Sequence, residues 1–163
     1  MQICYKHNVQ GLLDYLKLGI KVITFNGCFD ILTVVHMNLI FSAYLEAQAR
    51  KGIVICGLNS DESVKKYKGS KRPIMNEIER AKLLLATGYI NYVYIYDEET
   101  SIDFVNIFNP SYHFNSASYG ENCVEAEALK ECGGELIMVP SIKCPSTTDI
   151  VNRVLERYRE SVE

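Results

Sequence analysis

Residues 25–38, FNGCFDILTVVHMN, carry the side chains of this chain that best suit phosphate chemistry. An apolar run ends at Asn26 and Gly27, where glycine supplies the bare backbone that a tight turn needs. A helix beginning after such a turn aims unpaired N–H groups and its positive dipole end at an anion above the strand. His36 lies nine residues past Gly27, about two turns into such a helix, where an imidazole could reach the same anion as a donor or an acid. The segment therefore predicts a phosphate site.

A second polar segment, GLNSDESVKKYKGSKRPI at residues 57–74, concentrates positive charge. Asn59, Ser60 and Asp61 are typical of a turn and a helix cap, which need no ligand. Five cations follow within eight positions of a chain that is acidic overall: Lys65, Lys66, Lys68, Lys71 and Arg72. Such crowding fits either a solvated loop or a loop that receives an anion. Because the cations repel one another, we expect residues 65–72 to form a loop that is mobile until a triphosphate binds.

A third segment, KCPSTTDIV at residues 143–151, places three hydroxyl side chains before a helical pattern. They are Ser146, Thr147 and Thr148. Asp149 stands three residues after Ser146, which is the spacing of an ordinary capping box. A hydroxyl-rich helix N-terminus is also a site for anions. Local chemistry alone leaves both interpretations open.

Helical and strand patterns alternate along the chain, as a parallel α/β sheet requires. The predicted helices are at residues 9–19, 34–50, 76–88, 101–108, 121–132 and 147–160, and the predicted strands at 21–25, 53–58, 92–96, 111–114 and 135–139. Right-handed crossovers between these strands would give a Rossmann-like three-layer sandwich with a mostly parallel sheet. In such α/β folds, ligands bind at the carboxyl ends of the strands, where the first two polar segments begin.

Composition predicts one domain of ordinary enzyme size over residues 1–163. The chain is 48% hydrophobic and 23% charged, which suits a single core. A formal net charge of −3 argues against binding to nucleic acid through bulk electrostatics, and the apolar stretches are too short to cross a membrane. Six widely spaced cysteines form neither a C-x-x-C pair nor a zinc pattern. We therefore expect reduced thiols, no metal site built from protein ligands and a cytoplasmic location.

The strand, turn and helix of the first segment resemble the nucleotidyltransferases of the cytidylyltransferase-like fold. That family carries G-x-F-D after the strand and [H/T]-x-G-H on the next helix. Five positions match it: Gly27, Phe29, Asp30, Thr33 and His36. The stretches GCFDIL, GLNSDESV and KGSKRPI look closest to the sugar-phosphate adenylyltransferase domain of ADP-heptose synthesis enzymes, and the chain is also similar to glycerol-3-phosphate cytidylyltransferases. The S-T-T at the last helix matches a family motif as well.

This resemblance implies an enzyme that transfers a nucleoside monophosphate from ATP or CTP to a phosphorylated sugar or alcohol and releases pyrophosphate. His36, Thr33 and Arg72 would be the catalytic residues. The implied nucleotide-binding residues are Asn26, Gly27, Cys28, Phe29, Asp30, Asn59, Asp61, Lys68, Lys71, Arg80, Ser146, Thr147 and Thr148. Mg²⁺ would arrive with the nucleoside triphosphate, held mainly by its oxygens and by water. The expected partners are this nucleotide and a small phosphorylated substrate; the resemblance allows a homodimer.

Two departures from the family pattern leave a second class of function open. Val35 occupies the position of the family glycine, and a branched side chain there could narrow the site. Residues 115–119 are NSASY where sugar-phosphate adenylyltransferases carry K-G-x-D-Y. The alternative is therefore a catalytically degenerate member of the fold that binds a nucleotide or a partner protein. His113, just before this segment, is expected to be a strand residue without a catalytic part.

Overall fold

Strands alternate with helices in the computed structural model, which describes residues 2–120 and 123–159 except for the side chain of Tyr119. The strands are β1 (Gln2–Cys4), β2 (Val22–Gly27), β3 (Ile53–Asn59), β4 (Tyr92–Tyr96), β5 (Tyr112–Ser116) and β6 (Glu135–Val139). The helices are α1 (Gln10–Leu16), α2 (Val34–Arg50), α3 (Asp61–Lys68), α4 (Glu77–Ala86), α5 (Ile102–Phe108), α6 (Ala126–Cys132) and α7 (Thr147–Arg159). A 3-10 turn, Ala117–Tyr119, follows β5.

These six strands form one parallel sheet in the order β1-β4-β3-β2-β5-β6. From β2 the chain moves outward through β3 to β4, and α5 then carries it back across the sheet to β5, on the other side of β2. The strand order therefore switches between β2 and β5, and α/β proteins bind ligands beside the carboxyl ends of strands at such a point. The predicted α/β, Rossmann-like architecture with a parallel sheet is confirmed.

Apolar side chains pack on both faces of the sheet and make the three layers. Phe25 and Leu58 belong to a cluster formed with α2 and α4. Ile55 and Tyr94 belong to a second cluster, formed with α1, α5 and α6. The ring of Tyr94 stacks on that of Phe104, with centroids 6.1 Å apart. Within the described ranges, no helix is long and apolar enough to cross a membrane.

The sequence predicts neither β1 nor α3. β1 has three residues at the edge of the sheet, too few to show an alternating pattern. The predicted loop at residues 65–72 is wrong in its first half, because a helix runs to Lys68. Ser60 caps this helix by accepting a hydrogen bond from the N–H of Ser63, and acidic residues in its first turn with lysines in its last suit the helix dipole.

Two helix starts also differ from the prediction. A loop over residues 28–33 separates β2 from α2, so His36 lies in the first turn of the helix rather than two turns into it. Helix α6 begins at Ala126 instead of residue 121; residues 121 and 122 of the predicted helix lie outside the described residues. The spacing of Asn76 and Glu79 in the sequence predicts a capping box, and this box is confirmed at the start of α4.

Candidate active site

Two adjoining cavities open at the carboxyl ends of the central strands. The first cavity, of about 600 Å³, is lined from the ends of β2, β3, β4 and β5. The second cavity, of about 420 Å³, extends to the start of α7. The walls common to both include Val35, His36, Lys68, Arg72 and Thr147. Ligands in the two cavities would therefore meet beside His36.

His36 is fixed at this junction by the start of its own helix. The backbone N–H of Thr33 donates to Nδ1 of His36 over 3.1 Å, so the proton of a neutral ring sits on Nε2. Burial lowers the pKa of His36, and the nearby Lys68 lowers it further, while the carbonyl of Ile31 acts in the opposite direction. The net shift is downward, which makes His36 a neutral imidazole with one N–H at pH 7.

Phe29 explains why the turn before the helix needs a glycine. The backbone of Phe29 has φ of 46°, a left-handed conformation that costs a non-glycine residue about 1–3 kcal/mol. Its ring packs edge-on against Phe25 and against His36, with centroid distances of 5.7 and 5.2 Å. A Cβ on Gly27 would lie 3.1 Å from this ring. Gly27 therefore leaves room for the ring that supports the imidazole.

Asp30 holds the loop that carries Arg72. Its carboxylate accepts hydrogen bonds from Nε of Arg72 at 2.6 Å and from the backbone N–H groups of Ile74 and Met75 at 2.8 and 3.0 Å. Burial raises the pKa of Asp30, but these three hydrogen bonds and the arginine charge lower it by more, so the net shift is downward. Because Asp30 holds Nε of Arg72 and Arg72 lines both cavities, the ion pair fixes the position of the Arg72 guanidinium at the junction.

Arg80 lies beneath the site rather than in it. Its side chain is fully buried, and its guanidinium donates to the carbonyl oxygens of Cys28, Asn59 and Met75 at 2.6, 2.8 and 3.0 Å. It also donates to the Asp61 carboxylate at 2.7 Å. Neither Arg80 nor Asp61 lines either cavity, so their hydrogen bonds give them a structural role here, and the nucleotide contacts expected of them stay a prediction. Arg80 ties the ends of β2 and β3 to the start of α4.

The cavities gather most of the other residues that the sequence singles out. The first is lined by Asn26, Gly27, Cys28, Phe29, Asp30, His36, Asn59, Lys68, Arg72 and Thr147. Thr33, Ser146 and Thr148 line the second. Lys71 is exposed and lies outside the walls of both. The capping interpretation holds for Ser146, whose hydroxyl accepts from the N–H of Asp149 at 3.2 Å and donates to its carboxylate.

The sequence motifs do not include several residues of the cavity walls. Tyr67 forms a hydrogen bond with the thiol of Cys28, and Tyr96 forms one with the side chain of Asn26. Burial raises the pKa of Tyr96, so its phenol stays protonated. Glu125 is 4% exposed and accepts a hydrogen bond from Ser101. Only Tyr96, the last residue of a predicted strand, could have been assigned to this edge of the sheet in advance.

The two departures from the family pattern also lie in these walls. Val35, which replaces the family glycine, lines both cavities. Asn115, Ser116 and Ser118 line the first cavity where the family motif would place a lysine and an aspartate. This part of the wall is therefore neutral and hydrogen-bonding.

Comparison of the sequence with known proteins identifies its family and relatives. Residues 24–153 match the cytidylyltransferase-like family. The bifunctional protein HldE of Trichlorobacter lovleyi is 37% identical over 144 residues, which cover 87% of this chain and 28% of that protein. HldE of Hyphomonas neptunium is 39% identical over 136 residues, which cover 83% of this chain and 27% of that protein. The chain thus spans less than a third of the length of these relatives.

Solved structures agree on the fold. The lipopolysaccharide core biosynthesis protein of Thermoplasma volcanium superposes with a TM-score of 0.58 at 19% identity, covering 78% of this chain and all of that one. A pantothenate synthetase of Thermus thermophilus gives 0.58 at 11% identity, covering 98% and 75%. At these identities the likeness concerns the fold alone. The matched range, however, includes Gly27, His36, Arg72 and the start of α7, and on that evidence the chain belongs to the cytidylyltransferase-like family.

Proposed function

We propose that this protein is a nucleotidyltransferase that transfers a nucleoside monophosphate from ATP or CTP to a phosphorylated sugar or alcohol and releases pyrophosphate. The observation that carries the proposal is the junction of two cavities at His36, Lys68 and Arg72. A reaction between two phosphorylated substrates needs two adjoining binding spaces with cationic and N–H groups where they meet.

The second cavity suits the nucleotide. Its wall combines the start of α7, with Ser146, Thr147 and Thr148, and the apolar side chains of Ile142 and Pro145. A helix N-terminus with hydroxyl groups attracts phosphate oxygens, and the apolar pair offers a surface for a base. The first cavity then takes the acceptor, whose phosphate would approach the α-phosphate at the junction.

The chemistry follows from this arrangement. An oxygen of the acceptor phosphate forms a bond to the α-phosphorus in line with the bond that breaks to pyrophosphate. The attacking oxygen is already an anion, so no protein base is required and no covalent enzyme intermediate forms. Nε2–H of His36 donates to the α-phosphate. The Thr33 hydroxyl lies 3.2 Å from Nδ1 of His36, and it turns from the ring to donate to a neighbouring phosphate oxygen. Arg72 and Lys68 balance the charge on the β- and γ-phosphates.

Mg²⁺ is proposed as part of the nucleotide substrate. Among residues 2–120 and 123–159, no three His, Cys, Asp or Glu side chains are arranged to hold a metal ion, and the Asp30 carboxylate is engaged by Arg72 and two N–H groups. These residues fit an ion whose ligands are mainly phosphate oxygens and water. Such an ion would supply charge neutralisation on the triphosphate.

Pyrophosphate release from ATP and from CTP, measured against a panel of phosphorylated sugars and alcohols, tests the proposal. We expect release that depends on both substrates, with one nucleotide preferred. Binding of a nucleotide without release for any acceptor would instead favour the second candidate function, a degenerate member of the family. Val35 in the walls of both cavities is the observation that supports that alternative.

The setting of the enzyme is part of the same proposal. All six cysteines are free thiols, which suits a reducing compartment such as the cytoplasm.

Helix α7 has no buried residue and exposes Val154, Leu155 and Tyr158, a surface on which a homodimer could form. Size-exclusion chromatography with light scattering measures that assembly directly.

A further inference from the structure

Helix α2 exposes large apolar side chains on the side that faces away from the sheet. Phe41 is 44% exposed and Leu45 is 51% exposed, whereas the buried residues of the helix are Leu39, Ile40, Ala43 and Ala47. The outward side of a surface helix normally carries charged and polar residues. An apolar outward side is therefore typical of a helix that a second surface covers.

The charged side chains of α2 are engaged elsewhere. Its acidic and basic residues are Glu46 and Arg50, which form an ion pair at 2.8 Å. The guanidinium of Arg50 also lies over the ring of Tyr112 in β5, 4.9 Å from its centroid. His36 belongs to the active site. The outward side of this helix is thus uncharged.

Aromatic rings extend this surface from α2 to the end of α4. The ring of Phe41 packs against those of Tyr44 and Tyr89, with centroid distances of 6.2 and 5.4 Å. The rings of Tyr44 and Tyr89 are themselves 4.9 Å apart, and both residues are half-buried. A contiguous exposed apolar patch of this kind marks an interaction site.

The outward row of α2, which we call the α2 seam, consists of Asn38, Phe41, Leu45 and Gln48. Its members are three, four and three residues apart, which is the spacing of a seam between two packed helices. In chemical character the row is polar, apolar, apolar and polar, so it is the same in both directions.

This symmetry fits a second copy of α2 that runs antiparallel to the first. Phe41 of each copy would then meet Leu45 of the other, and Asn38 would meet Gln48 of the other. Two side-chain amides can exchange hydrogen bonds. The Asn38 amide donates to the carbonyl of Pro140 at 3.4 Å, which leaves its oxygen and its second N–H for such an exchange.

A second copy suits the α2 seam better than a charged partner does. Two-fold symmetry brings the same patch of both copies together, so charges close to the axis would face like charges, and the seam has none. Helix α7 is the competing surface, but five of its thirteen residues are charged: Asp149, Arg153, Glu156, Arg157 and Arg159.

We propose that the α2 seam is the interface of a homodimer in which two copies of α2 pack antiparallel, with the two-fold axis passing close to Ala43. The aromatic cluster of Phe41, Tyr44 and Tyr89 forms the adjoining part of the same interface. This inference goes beyond the proposed reaction and does not depend on it, because it is tested by assembly rather than by activity.

Analytical ultracentrifugation of the purified protein from about 1 μM to about 1 mM measures the dimer and its dissociation constant. We expect the wild type to dimerise within this range. Leu45→Glu should weaken the dimer about 100-fold or more, because each dimer carries the change twice and a carboxylate enters an apolar contact. The control is Leu18→Glu, which is 76% exposed and lies outside α2 and should leave the dimer unchanged.

The antiparallel register is tested by two double variants, and these decide the matter even if Leu45→Glu does not fold. Asn38→Lys with Gln48→Glu places opposite charges across the seam at two points, whereas Asn38→Lys with Gln48→Lys places like charges there. The first dimer should be about 10-fold tighter than the second. Neither position lines a cavity.

Three outcomes would overturn the inference. A wild type that stays monomeric up to about 1 mM has no such interface. Equal dimer affinity in the two double variants rejects the antiparallel seam, since a parallel pair of helices would face like charges in both. Dissociation by Leu155→Glu together with an unchanged dimer in Leu45→Glu would place the interface on α7.

Discussion

Replacing Arg80 by methionine removes the donors beneath the site while keeping an apolar side chain of similar length. The carbonyl oxygens of Cys28, Asn59 and Met75 would lose the guanidinium that now contacts them. A buried polar group left unsatisfied costs about 1–3 kcal/mol. The side chain of Asp61 is 27% exposed, so water can replace its lost partner. Because such costs are not additive, we expect the free energy of unfolding to fall by about 3–5 kcal/mol, as for other broken buried charge networks.

Urea titration and thermal melting measure this loss. For a chain of this size, about 1 kcal/mol shifts the melting temperature by about 2–4 °C, so Arg80→Met should melt about 10 °C below the wild type. Lys82→Met, an exposed position on the same helix, is the matched control and should stay within about 0.5 kcal/mol. Arg80→Lys, which keeps the charge without the planar fork, should lie between them. A melting temperature of Arg80→Met within about 2 °C of the control would refute the network as a source of stability.

Three further predictions address the walls of the cavities. His36→Ala should lower the rate of pyrophosphate release about 100-fold or more, because one contact made in the transition state is lost. The control is His7→Ala, which is exposed and outside both cavities and should leave the rate unchanged. A rate for His36→Ala within a few-fold of the wild type would contradict the catalytic assignment. Val35→Gly should tighten nucleotide binding in calorimetric titrations despite a loss of up to about 1 kcal/mol in helix propensity, whereas unchanged affinity with a lower melting temperature would remove the steric concern. Asp30 has a lowered pKa in the folded state, so the stability that it contributes is complete above the ordinary carboxyl pKa of about 4 and is lost as the pH falls towards the lowered value. Urea unfolding from pH 6 to pH 3 should therefore show a smaller acid-dependent loss of stability in Asp30→Asn than in the wild type. An equal loss in both proteins would contradict the role of Asp30.

The sequence by itself determined the features that depend on neighbouring residues. Short apolar runs that alternate with helical patterns along the chain predicted the five longer strands and the parallel α/β class. Gly27 and His36 marked the strand, the turn and the helix that form the junction of the cavities. The three-residue spacing of a capping box is visible at Asn76 and at Ser146, and both side chains accept the expected hydrogen bond in the structure. Each of these signals lies within one element or one turn, so the chain can be interpreted locally.

Only the tertiary structure decided which side chains the fold brings together across long separations. Arg80 matched a family position, but its hydrogen-bond partner Cys28 is 52 residues away in the sequence. Only the packed sheet shows that the Arg80 guanidinium forms its hydrogen bonds beneath the site. Ser101 and Glu125 are 24 residues apart on segments that follow different strands, and no periodicity links them. Their contact arises because α5 carries the chain across the sheet and parallel strands end at one edge. The chemistry of that edge is therefore a property of the fold, assembled from residues that look unrelated in the sequence.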